Sequence, residues 1–490
     1  MRYPKKNHNY KLFVGLFFIL GGLLRSWNFW TQTFSGDEAA QMRKAVSVAR
    51  GIADLVLWKN PLLAFQNIFI TILQHNHPPL EFLLLLPAVP FHPREFFARS
   101  IYVFINIIFL PISYWALFRL KLNRVGLFFL LLLSTSMYAI WSSQVMTRDS
   151  LVIMEGAAIG ISMLYFLKKP GKFTLYFLFL MCSIALLTSP DMVLYALVSL
   201  ILVWKKRSVI GFKNIFFSSV VPILIASLFY IPYILYAFSP GSPRVAGANY
   251  YFNGKLTSPS NNPLSFKTYH DAFFTFTTNF FSLSGVFPAC IFALFSLLLI
   301  RKKKFILPFF IIIFLFLGIN VFKITSAYFY MNFYGLMLLL SATWLGSTGR
   351  IGVFFLFVTV FINLMGGIPL LEGKHNPMLF SGLPKKDNII ASGTIAKKCL
   401  QRDESYISTD DPWRTFYYFG RPMLPSVEGG LWKATEATEA YLKGDLRNEV
   451  KLIHFRKGQF DQTLIDQLDR IKKQSFTFGD DFVYLFKTCS

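Results

Sequence analysis

The sequence predicts an all-α polytopic membrane protein that ends in a small external α/β domain. Of its 490 residues, 54% are hydrophobic and 18% are aromatic, and the mean hydropathy is +0.48, well above the usual range of soluble globular proteins. Long apolar segments recur up to residue 371, whereas residues 372–490 mix 18 basic with 16 acidic side chains. We therefore predict a transmembrane domain at 1–371 and a water-soluble domain at 372–490.

The first apolar segment, Lys11–Trp30, follows a basic start and lacks a small-residue cleavage site, which indicates a retained span. Eleven segments approach the roughly 20 apolar residues that a bilayer requires. They lie near 12–28, 99–118, 125–143, 150–167, 173–188, 191–204, 214–237, 279–300, 305–322, 327–346 and 351–371. The apolar run 80–91 is short, flanked by prolines and contains Glu81, so we expect it to lie in or dip into the membrane interface.

Basic clusters orient these predicted spans. With a cytoplasmic N-terminus, the clusters at 119–124, 168–172, 205–207 and 301–304 all fall on the cytoplasmic side, as the positive-inside rule requires. Counting 80–91 as a span would place all four outside. The net charge of +24 therefore needs no nucleic-acid partner. We expect a plasma (inner) membrane protein, in contact with membrane lipids, whose first loop (about 29–98) and C-terminal domain are external.

Nine acidic residues belong to the transmembrane domain, and this topology places each within about two helical turns of the external surface or in an external loop. They are Asp37, Glu38, Asp54, Glu81, Glu95, Asp149, Glu155, Asp191 and Asp271. Charged residues are mostly exposed, so simple solvation of the loops is the favoured interpretation for Asp54, Glu95 and Asp271. The other positions include better candidates for a functional site.

Two acidic motifs are such candidates. Asp37 and Glu38 begin a predicted amphipathic surface helix, where an N-cap role of Asp37 is compatible with a catalytic one. Arg148 and Asp149 form the short external turn "VMTRDSL". A salt bridge or helix cap is the alternative there, but ionisable residues at membrane level are functional candidates by default.

A third motif is "QHNHPPLEF", in which two histidines precede a Pro-Pro that restricts the backbone. His75 and His77 would be able to ligate a metal ion together with a carboxylate such as Asp149. The spacing matches no dedicated metal-binding pattern, so the interpretation without a metal is favoured.

The order of these motifs resembles that of a known family. "GDEA", "NHPPLEFLLLLP", "MTRDSLVIMEGAAIGISMLYFLKK" and "ALLTSPDMVLYALVSLILVWKKR" are similar to the N-terminal module of the GT-C membrane glycosyltransferases. The nearest likeness is to the dolichyl-phosphate-mannose protein mannosyltransferase and lipid A aminoarabinose transferase group. It covers about 10–210 well, 211–371 loosely and the tail hardly at all. The resemblance implies transfer of a sugar from a polyprenyl-phosphate donor to an acceptor hydroxyl of a lipid, glycan or protein.

The resemblance also implies roles for individual residues. Asp37 matches the acidic residue of the first external loop that acts on the acceptor, and Glu38 its companion. His77 matches the family's "HPPL", and Arg148-Asp149 the acidic site of the second external loop. The sequence departs from the aminoarabinose transferases, which tend to carry Glu-Lys before the two prolines, and has the Asn-His of the protein mannosyltransferases instead.

The chemistry asks for these residue types independently. An alcohol is a poor nucleophile at neutral pH, so a carboxylate must accept its proton as the new bond forms, and we assign that role to Asp37. Two carboxylates and a phosphate would also be able to hold Mg²⁺ or Mn²⁺, a choice that the sequence leaves open.

The leaving group is a lipid phosphate, whose developing charge calls for a cation at the interface. Arg148, Arg99 and Lys323 are the available side chains. Lys323 has Tyr328 and Tyr330 nearby as further substrate-binding candidates, although an interfacial Lys with an aromatic belt is the favoured alternative.

The tail has the pattern of an α/β domain. "NIIASGTIAKKCL" and "LIDQLDRIKKQ" predict helices, and "ESYISTDDPW", "VKLIHF" and "FVYLFKT" predict strands. Cys399 and Cys489 would be able to pair in an oxidising compartment, but cysteines so far apart are more often free.

Two other classes of protein share this composition. A transporter or flippase of polyprenyl-linked glycans would also be basic and polytopic, but it often has internal repeats and charges at the bilayer midplane, and neither is visible here. A non-catalytic scaffold that presents the tail to a partner is the second alternative. The presence of all three motifs argues against the scaffold.

Overall fold

The computed structural model describes residues 8–27, 29, 34–73, 79–91, 94–146, 149–237, 286–300, 303, 306–323, 331–371, 388–421, 423–424 and 431–489. The chain forms two compact units. Unit 1 comprises Met1–Phe29, Val48–Ala88 and Phe96–Ser381. Unit 2 comprises Trp30–Ser47, Val89–Glu95 and Gly382–Ser490, so two segments of the predicted first loop belong to the same unit as the tail.

Helices make up the described part of the chain up to residue 371. They are His8–Ser26, Gly36–Val56, Pro61–Leu73, Leu80–Leu83, Arg94–Arg119, Asn123–Thr135, Met137–Ser143, Asp149–Lys168, Lys172–Thr188, Val193–Lys205, Arg207–Ile210, Phe212–Ala237, Val286–Phe295, Ile306–Lys323, Met331–Ser347 and Gly349–Leu371. Three 3₁₀ turns, Leu86–Ala88, Pro190–Met192 and Ser296–Leu299, lie between them. The run 80–91 thus forms one helical turn and a 3₁₀ turn, which are too short to cross a bilayer.

Few described helices are long enough to span a membrane alone. Arg94–Arg119 and Ser150–Lys168 have the length and apolarity required. Asn123–Thr135 and Met137–Ser143, bent by 64° at the break between them, would make a third span if taken together. Shorter apolar helices, among them Leu12–Ser26 and Lys172–Thr188, coincide with other predicted segments. The total of eleven spans stays a prediction.

Unit 1 exposes large apolar side chains on the outer faces of its helices. Phe104 and Trp115 on helix Arg94–Arg119 are 62% and 58% exposed, while Leu110 and Leu117 of the same helix are fully buried. Phe173 and Phe354 on other helices are 81% and 64% exposed. Soluble monomers rarely expose so much contiguous apolar surface, so these faces suit contact with lipid.

Two central helices of unit 1 approach each other closely at a glycine. A Cβ built on Gly335, in helix Met331–Ser347, would overlap the carbonyl oxygen of Ile153 and lie 2.9 Å from the backbone nitrogen of Ala157. Both of these backbone atoms belong to helix Asp149–Lys168. Small residues at such contacts let helix backbones pack together, which is common between membrane helices.

We expect Gly335→Ala to destabilise unit 1 by about 1–3 kcal/mol, because the added methyl group meets backbone that cannot rotate away. The midpoint of thermal unfolding of the purified protein in detergent measures the effect. Gly15→Ala is the matched control, since a Cβ at Gly15 has no other atom within 4 Å. An unfolding midpoint as high in Gly335→Ala as in Gly15→Ala would contradict the close approach of the two helices.

Unit 2 contains a four-stranded sheet in the order β1-β2-β4-β3. The strands are β1 Ser405–Ser408, β2 Val450–Arg456, β3 Gln474–Phe478 and β4 Asp481–Leu485. β1 and β2 are parallel, with Tyr406 opposite Leu452, whereas β4 is antiparallel to both β2 and β3. The helices are Ile389–Cys399, Pro412–Phe419, Leu431–Lys443 and Gln462–Ile471. Buried residues of the sheet and of two of these helices, such as Ile453, Leu468 and Tyr441, form one core.

The sequence predicted most of this unit. Both predicted helices and all three predicted strands are confirmed, although β1 ends at Ser408 and a helix begins at Pro412 within the segment predicted as strand and turn. Proline is favoured at the first position of a helix, since its missing N–H would be unpaired there. Strand β3 was missed because it lies at the sheet edge and its residues alternate only between half-buried and exposed.

Cys399 and Cys489 form a disulfide bond, with their Cα atoms 4.8 Å apart. The preference for free thiols, drawn from their wide separation in sequence, is therefore wrong. Helix Ile389–Cys399 ends beside the chain segment that follows β4, so the fold brings the two cysteines together despite their separation in sequence. Disulfides persist in oxidising compartments, which agrees with the predicted external location of this domain. Cys182 is buried and free.

Candidate functional site

The helix that carries Asp37 begins with a capping box. The backbone N–H of Ser35 donates to Glu38 Oε2 at 2.8 Å, and the N–H of Glu38 faces Ser35 Oγ at 3.4 Å. The N–H of Ala39 donates to the carbonyl of Ser35 at 2.9 Å, which makes Ser35 the N-cap of helix Gly36–Val56. Glu38 is fully buried.

This arrangement separates the two neighbouring carboxylates. The expectation that Asp37 is the N-cap is wrong, because Asp37 is the second residue of the helix and the N-cap residue, Ser35, lies two residues before it. Glu38 occupies the third helical position, which is the acidic position of the S-x-x-E capping box. The sequence "SGDE" carries this capping-box signal, whereas the N-cap role was expected at Asp37.

The residue before the cap is held by the C-terminal part of unit 2. The N–H of Phe34 donates to the hydroxyl of Tyr418 at 2.8 Å, and the guanidinium Nε of Arg414 donates to the carbonyl of Phe34 at 2.8 Å. The Phe34 ring packs edge-on against Tyr417, with centroids 5.2 Å apart. All three partners belong to helix Pro412–Phe419, and Phe34 is fully buried.

A second contact joins the two helices further along. The guanidinium of Arg43 lies over the ring of Phe416, 3.9 Å from its centroid, in a cation–π arrangement. Arg43 is six residues after Asp37 on helix Gly36–Val56. No local sequence pattern indicates these contacts, since some 380 residues separate the partners in the chain.

An ionic network anchors Arg414 to the sheet. Its Nη1 donates to Asp410 Oδ2 at 2.9 Å, and the same oxygen accepts from Arg456 Nη2 at 3.1 Å. Arg456 Nε in turn donates to Asp481 Oδ1 at 3.1 Å. Arg456 ends β2 and Asp481 begins β4, so the network runs from two neighbouring strands to the carbonyl of Phe34.

Tyr418 also donates a hydrogen bond. The hydroxyl of Tyr418 donates to Glu95 Oε1 at 2.9 Å, and its oxygen accepts the hydrogen bond from the N–H of Phe34. Burial and the neighbouring Glu95 carboxylate raise the pKa of Tyr418 well above its usual value. The phenol therefore stays protonated at any physiological pH and can hold both partners. Glu95, for which simple solvation was the favoured interpretation, thus accepts a partly buried hydrogen bond from Tyr418.

Unit 1 carries the other described candidates. Asp149 is the first residue of helix Asp149–Lys168, and Lys323 is the last residue of helix Ile306–Lys323. Arg99 is fully buried within helix Arg94–Arg119. His75, His77, Arg148, Tyr328 and Tyr330 lie outside the described residues. Within the described ranges, no group of three His, Cys, Asp or Glu side chains is placed to hold a metal ion.

Two further acidic residues of unit 1 have polar partners. The Thr188 hydroxyl donates to Glu155 Oε1 at 2.6 Å, and the Asn332 amide donates to Asp191 Oδ2 at 3.3 Å. The hydroxyl of Tyr195 donates to the backbone carbonyl of Asn332 at 2.5 Å. The first bond joins helices Asp149–Lys168 and Lys172–Thr188, and the other two join helix Met331–Ser347 to Pro190–Met192 and Val193–Lys205.

Nearly the whole chain is similar in structure to ArnT and to archaeal oligosaccharyltransferase structures. ArnT from Cupriavidus metallidurans bound to undecaprenyl phosphate shares 12% sequence identity and a TM-score of 0.58, over 98% of both chains. The Archaeoglobus fulgidus oligosaccharyltransferase in complex with zinc and sulfate shares 12% identity and a TM-score of 0.55, over 96% of this chain and 73% of that one. The oligosaccharyltransferase AglB from the same organism, in complex with an inhibitory peptide and a dolichol-phosphate, shares 11% identity and a TM-score of 0.55, over 99% of this chain and 75% of that one.

No model of a protein family matches the sequence, and no curated protein matches it. The structural likeness nevertheless extends over the tail, which the sequence resemblance hardly covered. Because identity is near 12%, the likeness is evidence of fold and not of a particular substrate. The chain therefore shares its overall fold with ArnT and with the archaeal oligosaccharyltransferase.

Proposed function

We propose that this protein is an integral membrane glycosyltransferase that moves a sugar from a polyprenyl-phosphate donor to an acceptor hydroxyl on the external side of the plasma membrane. The observation that carries the proposal is the fold shared over 98% of the chain with an ArnT structure that holds undecaprenyl phosphate. A polyprenyl-phosphate carrier and a hydroxyl acceptor are the substrates that the sequence motifs also call for. The acceptor is a lipid, a glycan or a protein.

Two observations support the location. The exposed phenylalanines and tryptophan of unit 1 suit a lipid environment. The Cys399–Cys489 disulfide suits an oxidising compartment, which for a plasma-membrane protein is the external side. A cytoplasmic N-terminus and external tail follow from the distribution of basic clusters in the sequence.

We assign the general base to Asp37. It stands in the first turn of helix Gly36–Val56, whose capping box is formed by Ser35 and Glu38. Glu38 is fully buried and accepts a backbone hydrogen bond, and we therefore assign it to support of Asp37 and not to proton transfer. In the proposed step, the acceptor hydroxyl gives its proton to Asp37 as its oxygen bonds to the anomeric carbon and the lipid phosphate leaves.

The lipid phosphate needs a cationic partner as it leaves. Arg148 and Lys323 remain the candidates for this role, with Tyr328, Tyr330 and His77 as further substrate contacts. Arg99 is the weakest of the three cations, since its guanidinium is fully buried. Asp149, which begins helix Asp149–Lys168, would join such a phosphate through Mg²⁺ or Mn²⁺ if the reaction uses a metal ion.

Direct assay of sugar transfer tests the proposal. Purified protein in detergent is incubated with a polyprenyl-phosphate sugar, and both the release of polyprenyl phosphate and the labelled product are measured. A transporter or flippase would move the donor across vesicle membranes without cleaving it. A scaffold would do neither. Donor translocation without cleavage, for each of a panel of donor sugars, would replace the proposal by the transporter alternative.

The proposed topology predicts the outcome of reporter fusions. A reporter fused after Phe91 and one fused after Leu371 should both be external, because the run 80–91 does not span the membrane. A pair of enzymes active only in the cytoplasm or only outside serves as the readout. A cytoplasmic signal after Phe91 would overturn the span count and separate the faces of Asp37 and Asp149.

We expect Arg148→Ala to weaken donor binding by about 10-fold or more, because a charge-assisted contact to phosphate is lost. Arg148→Lys should restore part of the affinity, since an ammonium supplies the charge without the bidentate fork. The affinity for a polyprenyl phosphate is measured by its effect on the thermal unfolding midpoint. Equal stabilisation of the wild type and Arg148→Ala would leave Arg148 in a purely structural role.

A further inference from the structure

We propose that helix Pro412–Phe419 of the C-terminal domain positions the catalytic helix, and that Tyr418 and Arg414 are positioning residues for Asp37. The inference rests on the proposed function of Asp37 as general base. Its basis lies entirely within unit 2, where the segment Trp30–Ser47 and the tail fold together. It gives the tail a function that the sequence alone did not indicate.

Phe34 is fixed by both of its backbone polar groups. Its N–H and C=O each meet a side chain of helix Pro412–Phe419 at 2.8 Å, and its ring packs against a third. Phe34 precedes the N-cap directly, so fixing it sets the direction in which helix Gly36–Val56 begins. Asp37 follows three residues later, in the first turn.

The side chains that hold Phe34 are themselves constrained. Arg414 is bound to Asp410, and through Arg456 to the strands β2 and β4. Tyr418 is 6% exposed and its hydroxyl bridges Phe34 and Glu95. Chains of charged hydrogen bonds in a partly buried site restrict the rotation of each member. Helix Pro412–Phe419 therefore presents a rigid surface to Phe34.

A second contact, between Arg43 and Phe416, prevents helix Gly36–Val56 from rotating about its attachment at Phe34. Arg43 stacks on Phe416, which lies two residues from both Arg414 and Tyr418 on the same helix. Asp37 lies between Phe34 and Arg43, which are the two points at which this part of the chain is held. A helix fixed at two points about 13 Å apart along its path can neither pivot nor turn about its axis by much.

Such positioning matters for a general base. Proton transfer requires heavy atoms within about 2.6–3.2 Å, so a shift of about 1 Å in the base is enough to slow the reaction. Removing the Tyr418 hydroxyl would leave the buried N–H of Phe34 without this acceptor. The start of helix Gly36–Val56 would then shift so that the N–H can form another hydrogen bond. Donor affinity should be little affected, since Phe34 and Tyr418 touch each other and not the substrate in this proposal.

The test compares Tyr418→Phe with Tyr484→Phe in the full-length protein. Tyr484 is the matched control, because it is 5% exposed, lies in the same unit and donates its hydroxyl to a carboxylate, Asp469. We expect Tyr418→Phe to lower kcat for sugar transfer by about 10-fold at unchanged KM for the donor. Tyr484→Phe should transfer sugar at the wild-type rate.

A double substitution shows whether Tyr418 acts through Asp37. In the Asp37→Asn background, whose residual turnover is measured over long incubations, Tyr418→Phe should lower kcat no further. An additional 10-fold loss there would overturn the positioning role, because the hydroxyl would then act independently of the base. The positioning role would also be overturned if Tyr418→Phe alone kept the wild-type kcat while Asp37→Asn was inactive.

Hydrogen–deuterium exchange supplies a readout that does not depend on activity. Peptides that contain Phe34 should exchange faster in Tyr418→Phe than in the wild type and in Tyr484→Phe. Unchanged exchange would overturn the proposal whatever the kinetics. If Asp37→Asn transfers sugar at the wild-type rate, the assignment of Asp37 as the base is wrong, whatever Tyr418 does. If Tyr418→Phe shows faster exchange but an unaltered kcat, only the positioning role of Tyr418 is wrong.

Discussion

Asp37→Asn is expected to lower the turnover of sugar transfer by about 10²-fold or more, while donor binding changes little. The amide has nearly the shape of the carboxylate but cannot accept the proton of the acceptor hydroxyl. Folding should be preserved, because the capping box of helix Gly36–Val56 consists of Ser35 and Glu38, which this substitution keeps. Purified variants in detergent, assayed with a polyprenyl-phosphate sugar, give the turnover.

Glu38→Gln is the matched control for this prediction. Glutamine satisfies the acidic position of a capping box, so the bond from the N–H of Ser35 can be kept. Neighbouring residues on a helix also point about 100° apart, and Glu38 cannot take over the geometry of Asp37. Its loss of turnover should therefore be smaller. An inactive Glu38→Gln beside a normal Asp37→Asn would reverse the roles, and two active variants would remove catalysis from this loop.

Removal of the disulfide is expected to lower the free energy of unfolding of unit 2 by about 2–5 kcal/mol. The bond closes a loop with a sequence separation of 90 residues, and it restricts the unfolded chain strongly in the chain-entropy account. Cys399→Ser with Cys489→Ser is the direct variant. Its unfolding midpoint, followed by proteolysis of the tail during heating, should fall by on the order of 10 °C.

Two comparisons control this experiment. Reductant should lower the midpoint of the wild type to that of the double variant and should leave the double variant unchanged. Cys182→Ser removes a buried free thiol from unit 1 and should not alter the response of the tail to reductant. A tail equally stable with and without reductant would mean that the bond between Cys399 and Cys489 does not form in the protein.

The fold could be predicted from the sequence wherever the signal is local. The apolar helices before residue 371 and the first and last helices of the tail follow from runs and periods of apolar residues. Edge strand β3 has no strong alternation, and helix Pro412–Phe419 is short and follows a strand signal directly. These two elements were missed because their local preference is weak and packing against the rest of unit 2 decides them. Helix Leu431–Lys443 was not predicted either.

The candidate site was predicted in part. The positions of Asp37 and Glu38 at a helix start follow from the sequence, and the "SGDE" box also distinguishes their roles once it is read as a cap. The hydrogen bond from Tyr418 to Glu95 could not be predicted, because a lone carboxylate in a predicted loop has the same local pattern whether it is solvated or bonded to another side chain.

The sequence by itself determined that the chain is built of apolar helices with a charged, sheet-containing tail, and that its acidic motifs follow the order of the GT-C family. Only the tertiary structure decided that Cys399 pairs with Cys489 and that helix Pro412–Phe419 holds Phe34. Periodicity and capping signals act within a few residues of the chain. Contacts between residues 34 and 418 depend on the path of everything between them, which no local pattern encodes.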